Sequence, residues 1–233
     1  MDLKLFMSEE DNTLNHDLFD KVIYINLKIR RDRKKEITNI LTRAEIPEDK
    51  VIRFEAISKA PGFLGCTLSH AAVMKMVIDN GWGNVLILED DTDLYSDIEH
   101  IRQANKFLSS LKTRQWDVAF LGGNYYYASS HEPDNFLLKL KFSFCANAYI
   151  VNKNYAEKML EILNESIAEI TANGDFDESK AVDSYWCKYM EKDSWFGLYP
   201  CIAYQKKGYS NIRMGTLDYE YLFNKPLSDI LIF

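Results

Sequence analysis

The feature that most constrains this chain is an alternation. Short β-rich apolar runs take turns with stretches whose apolar residues recur at helical spacing, from Lys21 almost to the C-terminus. Lys21 to Leu27 reads as a strand. Ile37, Ile40, Leu41 and Ala44 then keep the i, i+3, i+4, i+7 pattern of a helix that Pro47 stops. Val51 to Ala56 reads as a second strand, Pro61-Gly62 as a loop, Leu68 to Asn80 as a buried helix ending at Asn80-Gly81, and Val85 to Leu88 as a third strand. Ile101, Ala104, Leu108 and Leu111 mark the next helix, and Asp117 to Leu121 a strand ending at Gly122-Gly123. Phe142 to Val151 reads as a strand, Met159 to Ile170 as a long amphipathic helix, Val182 to Met190 as a shorter one, and Leu198 to Gln205 as a late strand. A strand that follows a helix returns parallel to the strand before it. The expected fold is therefore α/β, with a mostly parallel central sheet covered on both faces.

The 233 residues, 47% of them hydrophobic, suffice for one sizeable core. Residues 1–18 are polar and acidic and are expected to be a flexible segment ahead of a single domain over 19–233. A net charge of −7 argues against a nucleic-acid binder driven by phosphate neutralisation. No apolar run is long enough for a transmembrane helix, and Met1 to Asp20 lacks the apolar core of a signal peptide, so a cytoplasmic location is expected. Cys66, Cys145, Cys187 and Cys201 show no metal-ligand spacing and read as buried thiols in a reducing compartment.

Three segments carry chemistry. After the apolar run Val85 to Leu88 come Glu89, Asp90, Asp91 and Asp93. Carboxylates packed so closely repel unless a cation sits among them, and hard Mg²⁺ or Mn²⁺ ions take oxygen ligands. The same residues also read as a solvated turn into a helix capped by Ser96 or Asp97. The second segment, Lys28-Ile29-Arg30-Arg31-Asp32-Arg33-Lys34-Lys35, places six cations in eight residues where the first strand meets the first helix. A helix N-terminus favours anions, and Arg adds bidentate phosphate contacts; the alternative is a solvated face. In the third, Gly65-Cys66-Thr67-Leu68-Ser69-His70, Thr67 or Ser69 reads as a helix cap and His70 as a structural histidine or a site residue. Tyr125, Tyr126 and Tyr127 are either a sugar-stacking surface or a loop wall. There is no nucleophile elbow, no phosphate-binding P-loop and no dinucleotide fingerprint.

Taken in order, these segments resemble glycosyltransferase family 25, which includes bacterial lipooligosaccharide galactosyltransferases and collagen β-galactosyltransferases. Ile25-Asn26-Leu27 with Arg31 and Arg33 looks like the family's opening I-N-L…R..R segment. Gly65-Cys66-Thr67-Leu68-Ser69-His70 looks like its G-C-x-x-S-H motif, and Ile87-Leu88-Glu89-Asp90-Asp91 like its I-L-E-D-D metal motif. Trp116-Asp117 with Leu121-Gly122, Ala146 to Ile150 with Ala156, Val182-Asp183, and Pro200 with Gln205 are similar to its later segments. Ser210-Asn211-Ile212 departs from the family's usual S-D-I.

The resemblance implies a GT-A-like, Rossmann-type α/β sandwich. It also implies inverting, divalent-metal-dependent transfer of a hexose from a UDP-sugar, UDP-galactose or UDP-glucose, to a hydroxyl on a glycan or a hydroxylysine-type acceptor. On this reading Asp91, with Glu89 and Asp93, would hold Mn²⁺ or Mg²⁺; period-two alternation puts the three on one face if the chain stays extended. Asn26, Leu27, Arg31, Arg33, Gly65, Ser69, His70 and Glu89 would bind the donor. Asp183 is the candidate general base, or else a cap for a helix beginning near Ser184. Two rivals stand beside it. Asp91-Thr92-Asp93-Leu94 also looks like the nucleophile loop of a haloacid-dehalogenase-like phosphatase, and Asn211 suits a nucleotide-sugar binder without turnover.

Overall fold

A computed structural model describes residues 13–131, 134–172, 176–210, 212 and 214–232. Its centre is a seven-stranded mixed sheet in the order β11 (Leu231–Ile232), β5 (Val118–His131), β7 (Trp195–Leu198), β6 (Asp134–Val151), β3 (Val85–Glu89), β1 (Lys21–Asn26), β2 (Val51–Glu55). The first half follows the expected alternation closely: β1 (Lys21–Asn26), α1 (Arg31–Arg43), β2 (Val51–Glu55), α2 (Gly62–Asp79), β3 (Val85–Glu89). β1 lies between β2 and β3 and is parallel to both, with Asn26 beside Glu55 and Ile25 beside Glu89. The chain winds to one side of β1 through α1 and to the other through α2. The crevice past the carboxyl ends of β1 and β3 is therefore a topological switch point, where open α/β sheets bind ligands.

Period-two alternation divides the core into two layers. Val22, Tyr24, Leu86 and Leu88 face α1 and α3 (Ile98–Leu111), among Ile37, Leu41, Phe107 and Leu108. Ile23, Ile25, Val85 and Ile87 face α2 and α4 (Ala156–Thr171), among Val73, Met74, Val77 and Met159. Each such buried aliphatic side chain contributes roughly 1.5–3 kcal/mol. Asp97 caps α3 by accepting the His100 N–H at 3.2 Å, as its position before that helix predicts.

The second half departs from expectation. The strand read as stopping at Gly122-Gly123 continues as β5 (Val118–His131) and pairs along its length with β6 (Asp134–Val151). The register shifts at both glycines, so the pair stays bonded while it bends. β6 alone runs against the other strands; its Ala148–Val151 end lies beside β3 and its Leu137–Lys139 stretch beside β7 (Trp195–Leu198). The expected late strand is split: β7 ends at Leu198, and after Pro200 the chain resumes as β8 (Ala203–Gln205), which pairs with β4 (Thr92–Leu94) in a separate ribbon. The helix expected over Val182 to Met190 is two short ones, α5 (Val182–Tyr185) and α6 (Cys187–Met190). A second ribbon, β9 (Gly208–Ser210) with β10 (Gly215–Leu217), follows, then α7 (Glu220–Phe223) and β11 (Leu231–Ile232) on the far edge beside β5. Phe120, Tyr149, Trp186 and Trp195 form a buried edge-to-face cluster beneath β5 and β6.

Residues 1–12 of the expected flexible segment lie outside the described residues. From Thr13 to Leu18 the chain is tied down: Leu14 is buried, Asn105 bonds both the Thr13 carbonyl and the Asn15 N–H, and Asn84 bonds the Leu18 carbonyl. All four cysteines are free thiols, Cys187 and Cys201 buried and the other two half-buried. Among the described residues no helix is long and apolar enough to cross a membrane.

Candidate functional site at the carboxyl ends of three strands

A cleft of about 390 Å³ opens past the ends of β1, β2 and β3. Its acidic wall is the turn Glu89-Asp90-Asp91-Thr92, which is pinned from three sides. The Thr92 hydroxyl bonds the carbonyls of Glu89 (2.8 Å) and Asn147 (3.0 Å), and the Lys206 N–H bonds the Asp91 carbonyl at 2.9 Å. Asn26, buried at the end of β1, donates to Asp90 Oδ2 at 2.7 Å. Arg33, on the first turns of α1, places one guanidinium nitrogen 2.8 Å from both Asp90 Oδ1 and Asp91 Oδ2. Gln205 and Asn147 complete the surroundings of Asp91, at 3.1 and 3.5 Å.

The electrostatics are unbalanced. Burial and the neighbouring Glu89 push the Asp91 carboxyl up to about 7, although Arg33 pulls the other way. Burial also raises Asp90 against the same guanidinium. Arg33 is held more firmly protonated than usual, because Asp91 and Asp90 outweigh the cost of burying it. One guanidinium among three carboxylates leaves negative charge uncompensated.

The opposite wall is α2. It begins at Gly62, six residues earlier than the apolar pattern indicates, so Thr67 and Ser69 sit inside the helix rather than capping it. Both bond back to carbonyls four residues earlier and each accepts a bond from elsewhere: Ser69 from the Ile57 N–H (2.8 Å), Thr67 from the Val182 N–H (3.2 Å). Thr67 thus anchors the start of α5. A Cβ at Gly65 would lie 2.6 Å from the Ile57 carbonyl, so glycine lets the helix press against the loop that closes the cleft. Cys66 and His70, one turn apart on α2, face Glu89; each comes within 3.6 Å of its Oε1.

Asp183 stands behind this group. Its carboxylate accepts the Cys145 N–H at 3.1 Å, and Asp183 lies inside α5, whose N-cap is Ala181, so it is not a cap for a helix beginning near Ser184. Burial is the main cause that raises it, with Glu89 adding to the effect and the Cys145 bond opposing it. Cys145 has φ 71°, a left-handed conformation costing roughly 1–3 kcal/mol in a residue with a side chain.

Of the residues singled out from sequence, Asn26, Leu27, Arg33, Gly65, Ser69, His70, Glu89 and Asp91 line or close on this cleft. Asp183 is not among the lining residues, and two more are placed elsewhere. Asp93 turns away and pairs with Arg43 at 2.7 Å, because the turn at Asp90-Asp91 breaks the extended alternation that would have kept it beside Asp91. The loop expected of a phosphatase therefore does not present both aspartates to one site. Arg31 is exposed and is not among the lining residues; Arg30 takes that place. Cys66, Asp90, Asn147 and Gln205 are added to the site. The family likeness pointed to their segments, but only the placement of α2, β3, β6 and β8 identifies which side chain turns inward. Asn211 lies outside the described residues.

The sequence profile of glycosyltransferase family 25 (LPS biosynthesis protein) matches residues 60–177, a stretch holding Cys66, His70 and the whole acidic turn. Procollagen galactosyltransferase 1 of Danio rerio is 25% identical over 173 residues, 61% of this chain and 28% of its own length. Procollagen galactosyltransferase 2 of Homo sapiens is 24% identical over 176 residues, 61% of this chain and 27% of its own. The chain thus spans under a third of the length of these curated relatives. Among solved structures, UDP-glucose pyrophosphorylase complexed with UDP-glucose overlaps 76% of this chain and 72% of its own, at 12% identity and a TM-score of 0.43.

Proposed function

This chain belongs to glycosyltransferase family 25, and on that premise we propose that its cleft transfers a hexose from a UDP-sugar to a hydroxyl of a glycan or protein acceptor, with inversion and with a divalent cation. The observation that carries this reading is the under-compensated acidic turn at the switch point of the sheet. Asp91 at about 7 belongs to a pocket built for more positive charge than Arg33 brings. Glu89 and Asp91 offer carboxylate oxygens, and the buried Asn147 Oδ1 has no hydrogen-bond partner among the described residues. An all-oxygen donor set of this kind suits Mn²⁺ or Mg²⁺. When bound, such an ion supplies charge neutralisation of the leaving diphosphate.

The chain's own residues do the rest. Arg30 and Arg33 line the cleft at the start of α1, within reach of a diphosphate's oxygens. Asn26 and Thr92 hold the acidic turn rigid, so charge stabilisation needs no rearrangement at the moment of reaction. Asp183 is the base in this reading. A carboxyl raised by burial is better matched to taking an acceptor proton near neutral pH than one at its ordinary value. The acceptor would approach over Tyr126, Phe142 and Phe144, whose rings pack edge to face beside Cys145. Tyr125, in contrast, is buried in the core.

A donor screen tests the proposal: release of nucleotide from several nucleotide sugars with Mn²⁺, then with EDTA. Turnover of a UDP-sugar that is lost in EDTA and in Asp91→Asn is the expected result. Release unaffected by either removes the ion from the reading, and binding of UDP without any release makes the chain a binder.

A further inference from the structure

Beyond the oxygen ligands of the acidic turn, the cleft holds a second donor set of different chemistry. Cys66 Sγ, His70 Nε2 and a Glu89 oxygen all lie within 4.8 Å of one another. Glu89 Oε1 is 3.6 Å from the sulfur and 3.6 Å from the imidazole nitrogen. In a tetrahedral site with bonds of about 2.0–2.3 Å, neighbouring donor atoms stand roughly 3.3–3.6 Å apart.

His70 supplies the independent observation. It is fully buried, yet Nε2 has no hydrogen-bond partner among the described residues. Nδ1 is already committed to the buried Tyr149 hydroxyl at 2.7 Å. If Nδ1 carries the proton, the Nε2 lone pair faces the Glu89 carboxylate. If Nε2 carries it, the carboxylate is beyond hydrogen-bond reach. A neutral imidazole is unsatisfied in either tautomer, and a cation between the three groups satisfies it. A ligating histidine usually has its other nitrogen oriented by a hydrogen bond, and Tyr149 is in place to do this.

We propose that Cys66, His70 and Glu89 form a three-ligand site for a borderline-soft divalent cation of the Zn²⁺ class, with its fourth position open to the cleft. One sulfur, one imidazole and one carboxylate favour Zn²⁺ or Co²⁺ over the hard ions that suit Glu89 with Asp91. The two sites share Glu89, so an ion on the sulfur side draws that carboxylate away from the acidic turn. Zinc-class ions then compete with the hard ion for one ligand.

The test reads binding, not transfer, and so stands apart from the fate of the glycosyltransfer reading. The full chain, stripped with EDTA and kept reduced, is titrated with Co²⁺. The expected result is a thiolate-to-cobalt charge-transfer band that saturates at one equivalent and is erased by Zn²⁺. Cys66→Ser loses the band, Tyr149→Phe weakens Co²⁺ binding on the order of 10–100-fold, and Asp91→Asn and Cys145→Ser keep the band. X-ray absorption of the zinc-loaded wild type, which needs no variant, should show one sulfur in the first shell. A wild type without a thiolate band, a band that survives Cys66→Ser, or a zinc shell of nitrogen and oxygen alone overturns the proposal.

Discussion

At the scale of single residues, Arg33 and Asp91 govern the site. Arg33 is the counter-charge of two buried aspartates, with its own side chain only 14% exposed. Arg33→Ala is expected to cost about 3–5 kcal/mol at pH 8, as breaking a buried pair does. The loss should shrink as pH falls and the aspartates take up protons; denaturant melts across pH check it. Asp91 behaves in the opposite sense. Its folded value of about 7 lies above its ordinary 3.8, so between these values the folded state binds a proton that the unfolded chain has released. That contribution to stability is greatest below about pH 4, falls as pH rises toward 7, and is level above it. In EDTA, Asp91→Asn should therefore melt above wild type at pH 8, with the gap closing near pH 4; Mn²⁺ at pH 8 should raise the wild type and leave the variant unmoved. A wild type as stable as Asp91→Asn at pH 8 would mean the carboxyl is not under pressure. Sequence identified the acidic run and the basic run, but not which members turn inward. Asp93 and Arg31 were misplaced for one reason: a turn at Asp90-Asp91 and the first turn of α1 redirect side chains, and neither leaves a periodic trace.

At the scale of elements, α2 and the β5–β6 pair carry the design. β1, α1, β2 and β3 were legible because each keeps one period along its whole length. The β5–β6 pair was not, because Gly122-Gly123 carries the signal of a strand end while serving as a bend within one. The reason lies in a close approach: a Cβ at Gly122 would lie 2.0 Å from the Ala203 carbonyl of β8. Gly122→Ala cannot be accommodated without moving backbone, and overpacking of this kind costs roughly 1–3 kcal/mol or more. Because β8 carries Gln205 to Asp91, the same change should weaken nucleotide binding as well as lower the melting temperature. A destabilised variant with unchanged affinity would show that β8 shifts freely. Gly65→Ala acts on the other wall, where the Ile57 carbonyl must retreat, and is expected to weaken donor binding without disturbing β8.

At the scale of the whole molecule, two packed layers position three strand ends and the start of two helices around one crevice, while Asp183 arrives from the second half of the chain. Asp183→Asn should cut transfer on the order of 10²–10⁴-fold and leave UDP affinity intact. A lowered melting temperature with near-normal turnover would make Asp183 a support for Cys145 instead. UDP with Mn²⁺ at a hundred times its dissociation constant should add about 2.7 kcal/mol of stability, a rise of roughly 5–10 °C for a chain of this size. Arg33 also has a second engagement: one of its nitrogens bonds the Tyr209 carbonyl of β9 at 2.8 Å, and Arg30 bonds the same oxygen at 3.1 Å. The ribbon of β9 and β10 is thus held to α1 by the N–H groups that an incoming phosphate would claim. The result is a matter of timing. Nucleotide capture should proceed in two phases, a fast encounter whose rate rises with concentration and a slower, saturating exchange of guanidinium partners. The reverse of that exchange would then set how quickly spent nucleotide departs, whatever the speed of the sugar transfer itself.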